Sequence, residues 1–446
     1  MKTKTRNFEF KSILFESERI GSAPGTKGVE MKHVVTDIDI FESLERSYIT
    51  AKMLLNDERR FIERLDIIGG ERITITLVTT KESEIKREIV KKFYIAKVLN
   101  NLKPTDDSQS VLLHLVEDIG YISNLHNVNR FYNGKCSEII QKLCEEFLEK
   151  ELAFDNTDVQ IIKAIIPNLT PLDASRWLKN RATTIDGYPF YFYSTLIGDK
   201  IAFKDLGTLY NHEALNKELS YRFGGITALS PDTVYSGRTI NGFRQENSED
   251  LLRLQNKGLI GGKHKYINSG SIEADCNINH DFDIVEDVLA PMINRGDLGE
   301  YNNPLYSNEY LHKDKPFNEY SSRTITQLGG SNSYRTTKSN VGYDLSYSEN
   351  YDVAGYKLSS IARATNNILL KSPITVAVDG SEFINGNIHS TIGNKIHLEF
   401  LASSKNEKGI DNKLSGEYLI YESRHLFKVE KHDLILTCAK LGNMKQ

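Results

Sequence analysis

Two stretches of this chain, roughly 325 residues apart, carry the same succession of strand patterns, a self-similarity on the scale of whole domains and not of a short tandem period. Near the start, Ile68-Gly69-Gly70-Glu71-Arg72-Ile73-Thr74-Ile75-Thr76-Leu77 reads as a glycine turn running into a strand, and near the end Ile392-Gly393-Asn394-Lys395-Ile396-His397-Leu398-Glu399-Phe400 reads the same way. An aromatic-led strand follows each, Phe93-Tyr94-Ile95-Ala96-Lys97-Val98 and Tyr418-Leu419-Ile420-Tyr421-Glu422-Ser423. A third apolar run closes each, Val111-Leu112-Leu113-His114-Leu115 and Leu434-Ile435-Leu436-Thr437-Cys438. Three matches in one order at nearly one offset imply a duplicated β domain.

Within each copy the alternation assigns faces. Ile73, Ile75 and Leu77 point to one side and Arg72, Thr74 and Thr76 to the other, because successive side chains of a strand alternate. One face becomes core and the other stays polar, the pattern of an antiparallel sheet. Residues 8–15, 34–41 and 48–55 read as further strands, with the glycine-rich stretch 21–28 as a loop.

Between the copies the period changes. Ile139, Ile140, Leu143, Cys144, Phe147 and Leu148 recur at helical spacing. A second helix is announced by Thr170-Pro171-Leu172-Asp173, with Thr170 as cap, Pro171 in the first turn and Asp173 at the positive end; it offers Leu172, Trp177 and Leu178 to a core. Tyr188-Pro189-Phe190-Tyr191-Phe192-Tyr193 and residues 200–204 then form a hairpin across Ile197-Gly198-Asp199-Lys200. From 258 to 349 the pattern thins into Asn, Ser, Tyr and Gly, as expected of a polar arm or insertion whose tyrosines make contacts. Helical periodicity returns over 353–369, where Tyr356, Ser360 or Ile361, Ala364 and Ile368 share a face.

The fold class expected is therefore α+β, mainly β, with two antiparallel β domains, an inserted small α+β domain and a long polar arm. The boundaries are 1–122 for the first β domain, 123–222 for the middle domain, 223–257 with 366–446 for the second β domain, and 258–365 for the arm ending in a helix.

Composition excludes several functions. The chain of 446 residues is 39% hydrophobic and 26% charged, ordinary for a globular protein, and no apolar run approaches the roughly 20 residues that span a bilayer. The opening Lys2-Thr3-Lys4-Thr5-Arg6 does not lead into a signal-peptide core. Formal charge is −4, and the one dense basic stretch, Lys86, Arg87, Lys91 and Lys92 around Ile89 and Val90, reads as a solvated strand entry, not a nucleic-acid patch. Cys136, Cys144, Cys276 and Cys438 have no paired spacing, so neither a disulfide framework nor zinc is expected; Cys144 and Cys438 read as core residues.

No constellation for catalysis emerges. The eleven histidines are dispersed. Residues 258–263 imitate a phosphate loop, but Lys257 and His264 stand where the first glycine and the Ser/Thr belong. Ser331 lacks the second half of a nucleophile elbow, and the carboxylate pairs Glu145-Glu146 and Asp281-Asp283 carry no geometry by themselves. No catalytic, cofactor-binding or metal-binding residue is assigned, no cofactor is expected, and the chain is read as not an enzyme.

The whole order, β unit, helix with Asp173-Ala174-Ser175-Arg176-Trp177-Leu178, aromatic strand 188–193, polar insertion and closing unit with Gly416-Glu417-Tyr418-Leu419-Ile420 and Arg424-His425, resembles the baseplate central hub protein of contractile-tailed bacteriophages, a family related to the hub portion of type VI secretion spike proteins. The resemblance spans about 8–441 but is diffuse, and it does not extend to the 258–349 stretch. It implies two tail-tube-like β-barrels per chain and a homotrimer whose six barrels make a pseudo-sixfold ring joining a threefold spike to a sixfold tube. The partners implied are further copies of the chain, the central spike or tail lysozyme protein, the tube or tube-initiator protein, the baseplate wedge proteins and the tape-measure protein, with DNA passing unbound through a channel lined by Thr74, Thr76, His397 and Glu399. The location implied is the virion, assembled in the host cytoplasm. Two alternatives stand beside it: the hub of a non-phage contractile injection system, and a tail-tip protein that degrades cell wall or binds glycan.

Overall fold

The alternation read in the first β unit is realised strand by strand in the computed structural model, which describes residues 8–17, 28–57, 65, 67–79, 87–105, 108–159, 161–215, 220–223, 238–245, 251–258, 262–267, 277–282, 287–288, 290–295, 302–304, 311–316, 320, 323–328, 350–384, 388–401, 409–428 and 431–444. The first unit contains β1 (Phe8–Glu16), β2 (Val29–Glu30), β3 (Val35–Ser43), β4 (Thr50–Asp57), β5 (Arg72–Thr79), β6 (Glu88–Thr105) and β7 (Ser108–Glu117). Ile73, Ile75 and Leu77 are buried as expected, beside Ile13, Ile38, Met53, Phe93 and Leu113.

The middle domain follows with α1 (Asp118–Ser123), β8 (Phe131–Lys135), α2 (Cys136–Phe147), β9 (Leu152–Phe154), β10 (Ile161–Ile165), α3 (Pro171–Lys179), β11 (Phe190–Tyr193), β12 (Ile201–Asp205) and α4 (Leu206–Asn211). The Thr170 side chain accepts from the Asp173 backbone N–H, the cap read in the sequence. β11 and β12 pair antiparallel as the expected hairpin. Leu172 and Leu178 reach the core, whereas Trp177 is only half-buried, with the Arg181 guanidinium 3.6 Å from its ring centre. Burial raises the Cys136 and Cys144 thiols to about 12, so both behave as small core residues.

The second unit is assembled from distant pieces: β13 (Tyr221–Phe223) and β14 (Gly242–Gln245), then, after the 258–349 stretch, β21 (Ile374–Asp379), β22 (Lys395–Phe400), β23 (Gly416–Lys428) and β24 (Lys431–Ala439). The stretch itself is not a featureless arm. After α5 (Leu251–Asn256), strands β15 (Gly262–Ile267), β16 (Asn277–Phe282) and, further on, β20 (Arg323–Leu328) make a small sheet of their own. Their mainly polar sequences, such as Lys263-His264-Lys265-Tyr266, hid them from a search for apolar periodicity. Between them lie α6 (Ala290–Arg295), β17 (Asn302–Pro304), β18 (Leu311–His312) and β19 (Lys315–Pro316). β17 pairs with β25 (Gly442–Met444), which ties the insertion to the end of the chain. Helix α7 (Asn350–Leu369) lays Ser360, Ala364 and Ile368 inward, and the short α8 (Ser381–Ile384) adds Phe383.

The two units form one mainly antiparallel sheet, in the order β14-β21-β24-β23-β3-β4-β7-β6-β5-β1-β2, with β22 on β23 and β13 parallel to β22. Among the described residues no ladder closes the first half, while in the second half β13 returns to the lead-in of β14 through Arg222 N–H to Arg238 O at 3.0 Å and Ile240 N–H to Arg222 O at 2.9 Å. The first half nevertheless curls until β1 meets β23 by side chains: the rings of Phe8 and Phe10 lie 5.3 and 5.6 Å from that of Phe427.

The duplication appears in the hydrogen bonds. Both units share the order β3-β4-β7-β6-β5 and β14-β21-β24-β23-β22. The fourth strand of each order, β6 and β23, carries a bulge at the same place, between Ile95 and Lys97 and between Ile420 and Glu422. The glycine turns match too: Gly70 N–H donates to Ile95 O at 2.8 Å and Gly393 N–H to Ile420 O at 2.9 Å, both glycines at positive φ where a side chain would be strained. The return bonds, Ile95 N–H to Glu71 O and Ile420 N–H to Asn394 O, are both 2.9 Å.

Candidate functional site at the joint between the β units

Strand β23 serves both units in succession along one edge. Its residues 416–419 pair with β22, and after the bulge at Tyr421 residues 422–428 pair with β3 of the first unit. The handover is held by backbone, because Leu44 N–H donates to Tyr421 O at 3.0 Å.

Three carboxylates fix the surrounding pieces. Glu45, just past β3, accepts from Tyr421 Oη at 2.6 Å, from Lys179 Nζ of α3 at 2.9 Å and from Asn366 Nδ2 of α7 at 3.3 Å. One side chain thus bridges the first unit, the second unit, the middle domain and the long helix. Burial pulls its carboxyl up, but the Lys179 charge and these donors outweigh it and hold Glu45 below the usual carboxylate range.

Glu117, at the end of β7, accepts from Ile49 N–H at 3.0 Å and Ser194 Oγ at 2.9 Å, with Lys91 Nζ at 3.5 Å. Lys91 also donates to Gly198 O at 2.6 Å. Burial dominates and pushes Glu117 upward against the pull of Lys91. The basic stretch at the start of β6 is accordingly not uniformly solvated: Lys91 is 8% exposed and docks the middle domain on the first unit.

Glu42, fully buried in β3, accepts from the Leu196 N–H at 2.6 Å and from Ser423 Oγ, and His425 Nε2 lies 2.9 Å away. His425 Nδ1 in turn sits 3.1 Å from His432 Nε2. Burial pulls Glu42 up, yet the hydrogen bond and charge of His425 prevail and hold it low. His432, stacked on Phe427 at 4.3 Å, keeps a buried Nδ1 without a hydrogen bond; burial first and His425 second hold it well below the usual imidazole range.

These residues continue an inward phase: Ile38-x-Ile40-x-Glu42, Leu113-x-Leu115-x-Glu117 and Ser423-x-His425-x-Phe427. A charged residue in an apolar phase was the available signal, and a search for catalytic motifs passes over it. Each carboxylate is occupied by fixed donors, and the void beside them, among Phe10, Ile40 and Phe427, is about 10 Å³, room for one water and no ligand. Among the described residues no group of His, Cys, Asp and Glu could hold a metal ion, and no helix is long and apolar enough to cross a membrane.

The polar faces lie elsewhere. Thr74 and Thr76 are half-buried, and the nearby Arg72 makes a bidentate pair with Glu16, both bonds 2.7 Å. His397 and Glu399 are half-buried beside β13, where Glu399 accepts from Arg222 Nε at 2.5 Å and Ser220 Oγ at 2.8 Å. Glu146 pairs with Arg130 and Glu145 accepts from Gln141, which gives the Glu145-Glu146 pair structural partners. Asp281 lies in β16, while Asp283, Ser331, Cys276 and residues 259–261 of the phosphate-loop imitation lie outside the described residues.

Comparison with protein-family models finds no match, and comparison with curated proteins finds none either. Solved structures do match. The tail protein of Neisseria meningitidis MC58 aligns over 97% of this chain and 96% of its own, at 11% identity and a TM-score of 0.52. The 43 kDa tail protein of prophage MuSo2 from Shewanella oneidensis aligns over 97% of this chain and 99% of its own, also at 11% identity and 0.52. The chain has the fold of phage tail proteins. The likeness covers nearly the whole length of this chain and of both tail proteins. A chain of the Francisella PdpA–VgrG complex aligns over 99% of this chain and 55% of its own, at 8% identity and a TM-score of 0.47.

Proposed function

We propose that this protein is the structural baseplate hub of a contractile phage tail, a homotrimer whose two β units per chain make a pseudo-sixfold collar between the threefold spike and the sixfold tube. The observation that carries the reading is the repeated unit, with the same strand order, bulge and turn bonds in both copies, on a fold shared with phage tail proteins. A duplicated unit supplies the factor of two that a threefold object needs to present sixfold symmetry. In this reading each unit is a tail-tube-like barrel.

The polar faces line the channel, and their charges cancel locally: Arg72 with Glu16 in one unit, Arg222 with Glu399 in the other. Cations paired in this way hold phosphate weakly, so DNA and the tape-measure protein slide through the channel. The middle domain and the insertion reach the spike, tube-initiator and wedge proteins. The chain acts by assembly, without a hydrolytic step, and its place is the tail baseplate of the virion.

The test is to mix the purified chain with the product of a neighbouring spike gene and measure mass. Three chains bound to one threefold spike support the hub, and cleavage or binding of cell-wall glycan by the chain alone supports the tail-tip alternative.

A further inference from the structure

One row of side chains on the polar face of the first unit carries uncancelled positive charge. His114 of β7 lies directly opposite Lys52 of β4 on one side and Lys97 of β6 on the other. The bulge puts Lys97 there. Ile95 and Lys97 would share a face in a regular strand, but the register shift between them buries Ile95 opposite Leu115 and leaves Lys97 exposed opposite His114. Arg46, exposed in the connection between β3 and β4, adds a third charge. Among the described residues none of Lys52, Lys97 and Arg46 makes an ion pair. Elsewhere on this unit Arg72 has Glu16, Lys11 has Glu88, and Arg424 takes Asp39, the carboxylate in register with Lys52.

The duplicated unit shows that the fold does not demand this charge. The same three positions of the second unit, on β21, β24 and β23 just past its bulge, hold Thr375, Thr437 and Glu422. The two rows share their backbone pairing and differ in chemistry. His114 itself is half-buried. Burial first, then the charges of Lys97, Lys52 and Arg46, hold its imidazole below the usual range, and no carboxylate counters them. The ring is therefore neutral near pH 7. Its Nδ1 is buried without a hydrogen bond, which leaves Nε2 as the nitrogen that can meet a ligand.

We infer that Lys52, His114, Lys97 and Arg46 form an anion site that takes a phosphate group, from free phosphate or from a nucleic acid. Two ammonium groups, a guanidinium and a ring nitrogen come from adjacent strands about 5 Å apart and one connection. They offer more donors than a single carboxylate accepts, whereas a phosphate group brings three strong acceptor oxygens and a charge of up to about −2. The inference does not rest on the hub reading; on that reading it marks a place in the channel wall where charge is not cancelled.

Calorimetric titration of the full chain with pyrophosphate at low salt tests it, beside anisotropy of a labelled single-stranded oligonucleotide. Saturable pyrophosphate binding is expected. Lys52→Gln or Lys97→Gln should weaken it about tenfold, as for the loss of one charge-assisted hydrogen bond. Lys92→Gln, on the same strand as Lys97 but outside the row, should weaken it by less than about twofold. All three lysines are exposed, so the variants fold. If pyrophosphate displaces bound oligonucleotide, nucleic-acid phosphate is a source of the ligand; if the oligonucleotide does not bind, the site takes free phosphate; both results support the site. Equal weakening by Lys92→Gln would assign binding to diffuse charge and overturn the inference. Binding of polyglutamate without saturation by pyrophosphate would assign the row to an acidic peptide, and no saturation by either would leave no site; both results overturn it as well.

Discussion

Tyr421 Oη donates to Glu45 at 2.6 Å from the bulge at which β23 leaves the second β unit and joins the first. The bond places a residue of each unit in one contact at the point where the sheet changes ownership. It also explains why the bulged residue is aromatic: the ring lies edge-on to Tyr191 of the middle domain at 5.9 Å while its hydroxyl reaches the carboxylate.

Tyr421→Phe keeps the ring and deletes the donor. A hydrogen bond to a charged group contributes roughly 1.5–3 kcal/mol, and Glu45 retains Lys179 and Asn366, so a loss near the lower end is expected in urea unfolding. An unchanged midpoint would show that the bond does not help hold the units together.

Removing one partner of a buried ion pair costs more than removing both. Glu117→Ala strands Lys91 in a site where it is 8% exposed, and a loss of about 3 kcal/mol or more is expected. Adding Lys91→Met should restore part of it, because the uncompensated charge is then gone. Additive losses in the double variant would contradict the pairing of the two residues.

Acid should weaken the joint before it titrates carboxylates. The folded chain keeps His432 well below 6.5, so on acidification the unfolded chain takes up a proton near 6.5 that the folded chain does not. Stability is therefore full above that pH and falls below it, by up to about 1.4 kcal/mol per pH unit for one such group. Glu42, whose folded value is depressed, adds a further loss only as pH drops below about 4.5. Urea midpoints at pH 7.5 and 5.5 check this: His432→Asn should flatten the difference, and an equal difference in wild type and variant would assign it to another group.

The face assignment has its own check. Ile75 and Leu398 are 3% and 0% exposed, so aspartate at either position buries an unpaired carboxylate and should abolish soluble expression. Thr76→Asp lies on the half-buried polar face and should still fold. Equal loss in all three variants would contradict the alternation.

The local pattern carried the long strands of both units but not β13 or β14, because Ile73-x-Ile75-x-Leu77 and Ile396-x-Leu398-x-Phe400 are consequences of one buried face. It carried the Thr170 cap and α7 for the same reason: each depends on neighbours within a turn or two. It could not carry the β23–β3 pairing, since Phe427 opposite Ile38 joins segments from opposite ends of the chain and leaves no mark on either. Nor did it yield β15, β16 and β20, whose alternate residues are polar on both faces. Glu42 and Glu117 lay in plain view, each ending an inward apolar phase, but they identify a joint and not a reaction.

The hub reading is tested most directly by light-scattering mass together with negative-stain class averages of the purified chain. A three-chain particle with six similar lobes around an open centre is the expected result. A particle that stays monomeric, or closes as a two-fold dimer without a channel, would contradict it.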